Sequence, residues 1–382
     1  MRTASHPSRH APSRRKRQDA LTGYLFILPA TLLIVVFGLF PIGYAFYMSL
    51  YRWRIAKGRF VGLENYLDTF GSWGAGLAFF GGLALILVAH WLWTDAFKST
   101  GPRRVVKLVS VFVLLAAGVS VALGWRALMT DGDDDFWRSL IITIFYAFGT
   151  IPLQIALALF IAVLLHQKLR GQTLFRMIFF LPYITPLVAS AVVFGIIFSP
   201  RETSLANTLF TTLGLPVQGW LAEPKALTEL WGLSLPGLWA GPSLALVSII
   251  LYGVWSYVGW NVVVFLAGLG DIPQDLYEAA ELDGASGAGR FWHITLPLLS
   301  PVTFYLVLLG FIGTFQAFSH LFVMRTPFAQ DTVDTASLVI FDSFYRSNNF
   351  SVAAAQSIIL FALILGFTLF QQRVMGRRVF YG

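Results

Sequence analysis

Eight apolar runs, each long enough to cross a lipid bilayer, constrain the fold of this chain more than any other feature. They lie at roughly 24–50, 76–94, 105–128, 139–165, 177–198, 244–269, 294–324 and 352–372. A transmembrane helix needs about 20 apolar residues. None of the runs shows the strict alternation that a barrel strand needs. The sequence therefore predicts an all-α polytopic membrane protein with about eight transmembrane helices.

The composition excludes a water-soluble domain and a disordered chain. Hydrophobic residues make up 57% and charged residues 12% of the sequence, whereas soluble domains carry about 25% charged residues. Disorder needs low hydrophobicity together with high charge. The chain also contains no cysteine, which excludes disulfides, thiolate metal sites and a thiol nucleophile.

The basic residues predict the orientation in the membrane. With a cytoplasmic N-terminus, the inner segments hold 17 of the 27 Lys and Arg residues but 7 of the 19 Asp and Glu residues. Because positive residues accumulate on the cytoplasmic side, we expect both termini to be cytoplasmic. The basic tail, 1–23, is interpreted as a topogenic or lipid-facing segment rather than a nucleic-acid-binding one. Four of the basic residues on the outer side cluster at 51–60.

The interiors of the predicted spans contain no Asp, Glu, Lys or Arg. Ion-coupled carriers usually need an intramembrane carboxylate, and voltage sensors need an arginine ladder, so both classes are disfavoured. His90 and His320 are interpreted as packed or interfacial side chains rather than proton relays. Pro182 and Pro186 are predicted to kink the fifth span, either for packing or as a hinge beside a translocation path.

The polar segment 270–293 is predicted to fold as two short helices outside the membrane on the cytoplasmic face. Residues 274–283 favour a helix that Asp271 can cap. Gly284 can adopt a positive φ and end that helix, and a second helix is expected over 286–293. Such a projection suits docking to a soluble partner; the alternative is an ordinary amphipathic loop.

The same segment carries a spaced motif. Its specified positions are Glu278, Ala279, Ala280, Gly284, Ile294, Leu296 and Pro297, and Asp283 and Arg290 lie within it. This pattern resembles the signature loop of the membrane subunits of binding-protein-dependent ABC importers. The chain looks most like the carbohydrate-importer permeases related to the maltose and glycerol-phosphate systems.

The resemblance divides the chain into four parts. They are a basic cytoplasmic tail at 1–23, a first span and outer loop at 24–72, an inserted transmembrane hairpin at 73–135 and a permease core at 136–378. It implies that six of the eight helices form the permease core. The inserted hairpin lies outside the resemblance. We expect it to be peripheral to the transport path, with its two spans facing lipid against the first span, and we assign it no function.

The chain contains no Gly-Lys pair and hence no P-loop for ATP phosphates. We therefore expect a transport subunit that is not an enzyme and binds no cofactor. The resemblance implies a cytosolic ABC ATPase dimer that holds ATP and magnesium and receives the 270–293 loop in a surface cleft. It also implies two further protein partners, a homologous second permease subunit and an extracytoplasmic solute-binding protein. The chain is expected to lie in the lipid bilayer of a bacterial inner membrane, and we expect no nucleic acid among its partners.

Candidate substrate-path residues lie in the sixth and seventh predicted spans. They are Trp260 and Asn261 in the sixth span, and Thr314, Gln316 and Ala317 in the seventh. Sugars are bound by hydrogen-bonding side chains together with aromatic faces. The resemblance to maltose-type subunits implies that Asn261, Thr314 and Ala317 lie at or near substrate-contacting positions. The alternative is that these residues belong to aromatic belts or helix packing.

The sequence leaves several functions open. They are a sugar importer permease, a permease for a non-sugar solute of the same importer class, and a stand-alone secondary carrier or channel. The uncharged span interiors and the spaced motif favour the first two. A membrane enzyme is disfavoured because no metal-ligand cluster and no nucleophile–base pair occurs at membrane depth.

Overall fold

The computed structural model describes residues 14–98, 104–167, 170–235 and 237–376. Its architecture confirms the all-α polytopic prediction. Among these described residues, six helices are long and apolar enough to cross a membrane, and the number rises to eight if two bent helix pairs each count as one span. The first 13 residues of the basic tail and the C-terminal arginines Arg377 and Arg378 lie outside the described residues.

The N-terminal part contains the first span, a β-hairpin and the inserted helical hairpin. Its elements are α1 (Arg14–Ile34), a π-helical turn (Val35–Leu39), α2 (Phe40–Ser49), β1 (Tyr51–Trp53), β2 (Lys57–Phe60), α3 (Glu64–Phe70), α4 (Trp73–Lys98) and α5 (Arg104–Asp131). The two strands pair antiparallel. Residues 21–44 of the first span are exposed along the whole stretch. This span therefore presents an apolar surface to its surroundings.

The larger C-terminal part contains the remaining spans and the polar segments between them. Its elements are α6 (Asp134–His166), α7 (Gln172–Ile184), α8 (Leu187–Ile197), α9 (Leu205–Thr212), a 3-10 turn (Trp220–Ala222), α10 (Leu227–Leu230), a 3-10 turn (Gly237–Ala240), α11 (Leu244–Gly270), α12 (Gln274–Leu282), α13 (Gly287–Arg290), a π-helical turn (Phe291–Thr295), α14 (Leu296–Leu298), α15 (Ser300–Phe315), α16 (Ser319–Met324), α17 (Gln330–Val333), α18 (Ala336–Tyr345) and α19 (Phe350–Met375).

The predicted kink in the fifth span is confirmed. Helices α7 and α8 meet at an angle of 93°, and the break falls at Thr185, which is extended with φ −64° and ψ 133°. A proline disfavours helical backbone angles in the residue before it, so Pro186 accounts for the position of the break. Pro182 lies inside α7.

Two sequence-based predictions about helix ends are wrong. The seventh span ends at Phe315, and a separate short helix, α16, follows it. Asp271 does not cap α12, because Pro273 is the N-cap residue with φ −58° and ψ 131°. Asp271 has helical angles of −81° and −11° and ends α11 instead. An N-cap residue needs extended backbone angles, which Pro273 supplies.

The inserted hairpin α4–α5 packs into the protein core rather than standing apart. Phe79 and Leu128 of the hairpin are buried in one cluster with Phe70 of α3 and Trp137 of α6. The indole nitrogen of Trp137 donates a 2.8 Å hydrogen bond to the carbonyl of Thr69. The hairpin therefore lies against α3 and α6, a position that differs from the expected one against the first span.

Asp133 fastens the end of the hairpin to the core. Its carboxylate accepts a 3.1 Å hydrogen bond from the backbone N–H of Phe136, as the N-cap of α6, and a 2.9 Å hydrogen bond from the side chain of Gln356. Burial raises the pKa of Asp133 above its ordinary value. The loop between the hairpin and α6 is thus anchored to both α6 and α19.

Helices α4 and α5 cross closely at Gly124. A methyl group there would lie 2.4 Å from the backbone nitrogen of Phe79, so the helices would have to separate. We expect Gly124→Ala to destabilise the protein by about 1–3 kcal/mol, measured as a lower melting temperature of the purified chain. Gly118→Ala is the matched control on the same helix, because nothing lies within 4 Å of a Cβ there. Equal effects of both changes would contradict this account.

Candidate functional site

The loop at 270–293 folds as a helix that projects from the body of the protein. Most side chains of α12 are exposed, and Leu282 at its end is 90% exposed. A 2.9 Å hydrogen bond joins the hydroxyl groups of Tyr277 and Thr295 and ties α12 to the start of the seventh span. Helix α12 is therefore fixed at its base while most of its side chains stay accessible.

Gly284 ends α12 as the sequence predicted. Its φ is +79°, a value that favours glycine. The N–H of Gly284 donates to the carbonyl of Glu281 at 3.0 Å, and the N–H of Ala285 donates to the carbonyl of Ala280 at 2.9 Å. This pair of hydrogen bonds is the Schellman motif. The second predicted helix forms at α13, with Ser286 as its N-cap, and continues into the π-helical turn.

The motif residues divide between an exposed tip and a half-buried base. Glu278, Ala279, Asp283 and Gly284 are exposed, whereas Ala280, Arg290, Ile294, Leu296 and Pro297 are half-buried. Arg290 forms an ion pair with Glu281 at 2.9 Å. In the described part of the chain Glu278 has no ion-pair partner. Its carboxylate is therefore accessible to a partner at the tip.

A second candidate site is a cavity among the spanning helices α6, α7, α11 and α15. Its volume is about 190 Å³. The lining residues are Tyr146, Gln154, Tyr183, Tyr257, Trp260, Asn261, Leu306, Leu309, Gly310, Gly313, Thr314, Ala317 and His320. Four candidate residues from the sequence, Trp260, Asn261, Thr314 and Ala317, thus share one cavity. Their role in a substrate path stays a prediction.

Gln316 lies away from this cavity. It follows α15 as its C-cap and lines a separate apolar groove beside Phe40 and Phe341. Successive helical residues are rotated by about 100°, so Gln316 at the end of the helix points about 200° away from Thr314. Ala317 lies beyond the end of α15 and lines the cavity again.

Aromatic rings form one wall of the cavity. The rings of Tyr183 and Trp260 stack with centroids 5.3 Å apart, and Tyr257 meets Tyr183 edge-on at 6.2 Å. Helix α7 comes this close to α11 because Gly259 has no side chain: a Cβ there would lie 2.0 Å from the carbonyl oxygen of Phe179. Such a wall presents flat apolar faces to a solute.

The polar groups of the cavity are hydrogen-bonding side chains. Gln154 donates to the carbonyl of Gly253 at 2.9 Å and accepts from the amide of Asn261 at 3.4 Å. A 2.7 Å hydrogen bond joins Tyr146 and His320. The residues that line the cavity include no Asp, Glu, Lys or Arg. In the described part of the chain no group of three His, Asp or Glu residues could hold a metal ion. The chemistry suits an uncharged polar solute.

The candidate residues from the sequence did not include four aromatic or amide residues that line the cavity, Tyr146, Gln154, Tyr183 and Tyr257. One signal could have found two of them. Thr143, Tyr146, Thr150 and Gln154 recur every three or four residues on the apolar helix α6 and so mark one polar face. Tyr183 gave no comparable signal beyond its place between Pro182 and Pro186.

Comparisons with known proteins identify what the chain is similar to. The family model described as "Binding-protein-dependent transport system inner membrane component" matches residues 154–381. The arabinooligosaccharide transport permease of Bacillus subtilis is 30% identical over 278 residues, which cover 70% of this chain and 82% of the relative. The trehalose/maltose transport permease of Thermococcus litoralis is 27% identical over 364 residues, which cover 95% of this chain and 96% of the relative.

Two further similarities concern length and fold. The lactose transport permease of Rhizobium radiobacter is 30% identical over 366 residues, which cover 94% of this chain and 96% of the relative. Matches of this extent run across 73–135, beyond the region that the motif resemblance covers. A chain in the crystal structure of a bacterial alginate ABC transporter aligns with a TM-score of 0.56 and 20% identity, covering 72% of this chain and 94% of that chain. This last likeness concerns the fold alone.

Proposed function

Because the chain belongs to the family of binding-protein-dependent transport system inner membrane components, we propose that it is the permease subunit of an ATP-driven importer for a sugar or a related solute. The cavity carries this proposal, since stacked aromatic rings lie beside neutral hydrogen-bonding groups. The names of the relatives support a carbohydrate, because they refer to arabinooligosaccharides, trehalose or maltose, and lactose. A permease for a non-sugar solute of the same class is the alternative.

The proposal divides the work among several chains. The 270–293 loop docks into a cytosolic ABC ATPase dimer, which holds ATP and magnesium, so this chain binds no nucleotide. A homologous second permease subunit completes the path, and an extracytoplasmic solute-binding protein delivers the solute. Both termini face the cytoplasm of a bacterial inner membrane, in agreement with the excess of Lys and Arg in the inner segments.

The structure suggests how ATP would drive transport. Closure of the ATPase dimer would move α12 as a rigid body. The Tyr277–Thr295 hydrogen bond ties α12 to the turn that leads into α14 and α15. Helix α15 carries Thr314 at the cavity. Movement of α12 would therefore reach the cavity wall through the segment that ends at Leu298 and through α15, which meet at a bend of 60°.

The change Asn261→Leu tests the cavity. A solute hydroxyl left without a partner costs about 1–3 kcal/mol, so we expect half-maximal stimulation of the ATPase activity of the reconstituted importer to need roughly 5- to 150-fold more solute. Gln316→Leu is the matched control, because this amide lies outside the cavity. A panel of sugars, polyols and amino acids identifies the stimulating solute first. Equal losses in both variants, or stimulation by amino acids alone, would contradict the proposal.

A further inference from the structure

The β-hairpin at 51–60 lies directly at the end of the first span. The span ends at Ser49 and β1 begins at Tyr51. A strand rises about 3.3 Å per residue, so the hairpin tip at Ile55 stays within about 20 Å of the span. The polar headgroup layer is about 5–8 Å thick on each side of a bilayer. The base of the hairpin therefore lies at headgroup level.

The hairpin is strongly basic. Residues 51–60 include Arg52, Arg54, Lys57 and Arg59 and no acidic residue. All four basic residues are exposed, and Arg52 also pairs with Glu64 at 3.2 Å. On the orientation proposed above, this cluster lies on the outer side, against the general charge trend. A role in setting topology does not account for it.

Aromatic rings surround the base of the hairpin. The ammonium group of Lys57 lies 4.1 Å from the ring centroid of Tyr51 and 4.9 Å from that of Tyr47, and it donates a hydrogen bond to the Tyr47 hydroxyl. The ring of Trp53 meets the ring of Tyr44 edge-on at 6.1 Å. Tyrosine and tryptophan are enriched at the membrane–water interface. At the tip, Ile55 is 85% exposed.

We propose that the hairpin at 51–60 binds the phosphate headgroups of anionic phospholipids. The guanidinium groups of Arg54 and Arg59 would donate charge-assisted hydrogen bonds to lipid phosphate. The hairpin would lie along the bilayer surface, so that Ile55 enters the boundary between headgroups and acyl chains. An acidic protein surface would match the charge, but the exposed isoleucine and the adjacent exposed first span favour lipid. The inference takes the hairpin on the outer side, as in the orientation proposed above, and does not rest on the transported solute.

The absence of cysteine permits a direct test. The full-length chain with Ile55→Cys, labelled with an environment-sensitive fluorophore, is reconstituted into lipid nanodiscs. The nanodiscs contain equal mole fractions of brominated phosphatidylglycerol or brominated phosphatidylcholine as quenchers. Each basic residue near an anionic surface favours binding about five-fold, so we expect several-fold stronger quenching by phosphatidylglycerol. In the Arg54→Gln/Arg59→Gln variant the two lipids should quench almost equally, as they should at high salt.

Two controls complete the experiment. Arg201→Gln/Lys225→Gln removes the same number of charges from exposed positions on other loops and should keep the lipid preference. A label at Phe328→Cys, a position that is 76% exposed, should show no such preference. Equal quenching by both lipids at position 55 would overturn the proposal. Quenching by neither lipid would also overturn it and would favour an acidic protein partner.

Discussion

Gly284→Asp is expected to leave membrane insertion intact but to abolish ATPase association and solute uptake. The φ of +79° at Gly284 disfavours any side chain, at a cost of about 1 kcal/mol, which is too small to unfold the protein. Nothing in the described structure lies within 4 Å of a Cβ at this position. A new side chain would therefore point into the space that a docked partner occupies, and its charge would add to that of the exposed Asp283.

Gly214→Asp separates backbone strain from docking. Gly214 has a similar φ of +76° and equally open surroundings, but it lies in a different loop. We expect the chain with Gly214→Asp to retain both ATPase association and solute uptake. Co-purification of the ATPase and solute uptake by cells are the measurements. Full uptake by Gly284→Asp would show that the 270–293 loop is not the coupling element.

Glu278 contributes to the same docking surface, and its removal should be milder. A charge-assisted hydrogen bond from an ATPase arginine would contribute about 1.5–3 kcal/mol if the pair is desolvated. In the same measurements of ATPase co-purification and solute uptake, Glu278→Ala should therefore weaken uptake without abolishing it. A loss equal to that of Gly284→Asp would show that the carboxylate dominates the contact.

Arg325→Gln is expected to destabilise the protein strongly. The Arg325 side chain is 5% exposed and lies 2.5 Å from Asp334 and 2.8 Å from Asp342. Removing the arginine leaves two carboxylates without their shared cation, which costs about 3–5 kcal/mol for a buried pair. The measurement is the melting temperature of the purified chain. Asp334→Asn is the control. Arg325 then keeps Asp342 as a partner, so this change should lower the melting temperature less than Arg325→Gln does.

The effect of Arg325→Gln should depend on pH. Burial raises the pKa of Asp334 to about 6, and Arg325 opposes this rise. The folded state therefore binds the proton of the Asp334 carboxyl group more tightly than the unfolded chain does. The contribution of Asp334 to the free energy of unfolding accordingly falls as pH rises between about 4 and 6. Without Arg325 the pKa rises further. The difference in melting temperature from the unmodified protein should thus be smaller at about pH 5 than at about pH 8. A difference that widens on acidification would contradict this account.

The sequence by itself determined the spans and the turns, because the relevant physics is local. An apolar run in a membrane must satisfy its backbone hydrogen bonds within its own helix. Hydropathy therefore locates the spans without reference to any tertiary contact. The break beside Pro186 follows from steric restriction of the preceding residue. The end of α12 at Gly284 follows from backbone angles that glycine adopts at little cost.

Only the tertiary structure decided which residues share a site. Tyr183 joins Trp260 because α7 approaches the backbone of α11 at Gly259, and Gln316 leaves the cavity because of its rotation around α15. The close crossing at Gly124 likewise holds α4 against α5, and the position of this inserted hairpin depends on a core shared with Trp137. In a lipid environment all apolar faces are nearly equivalent. Hydropathy therefore carries no information about which faces meet, and the fit between helix surfaces selects the partners.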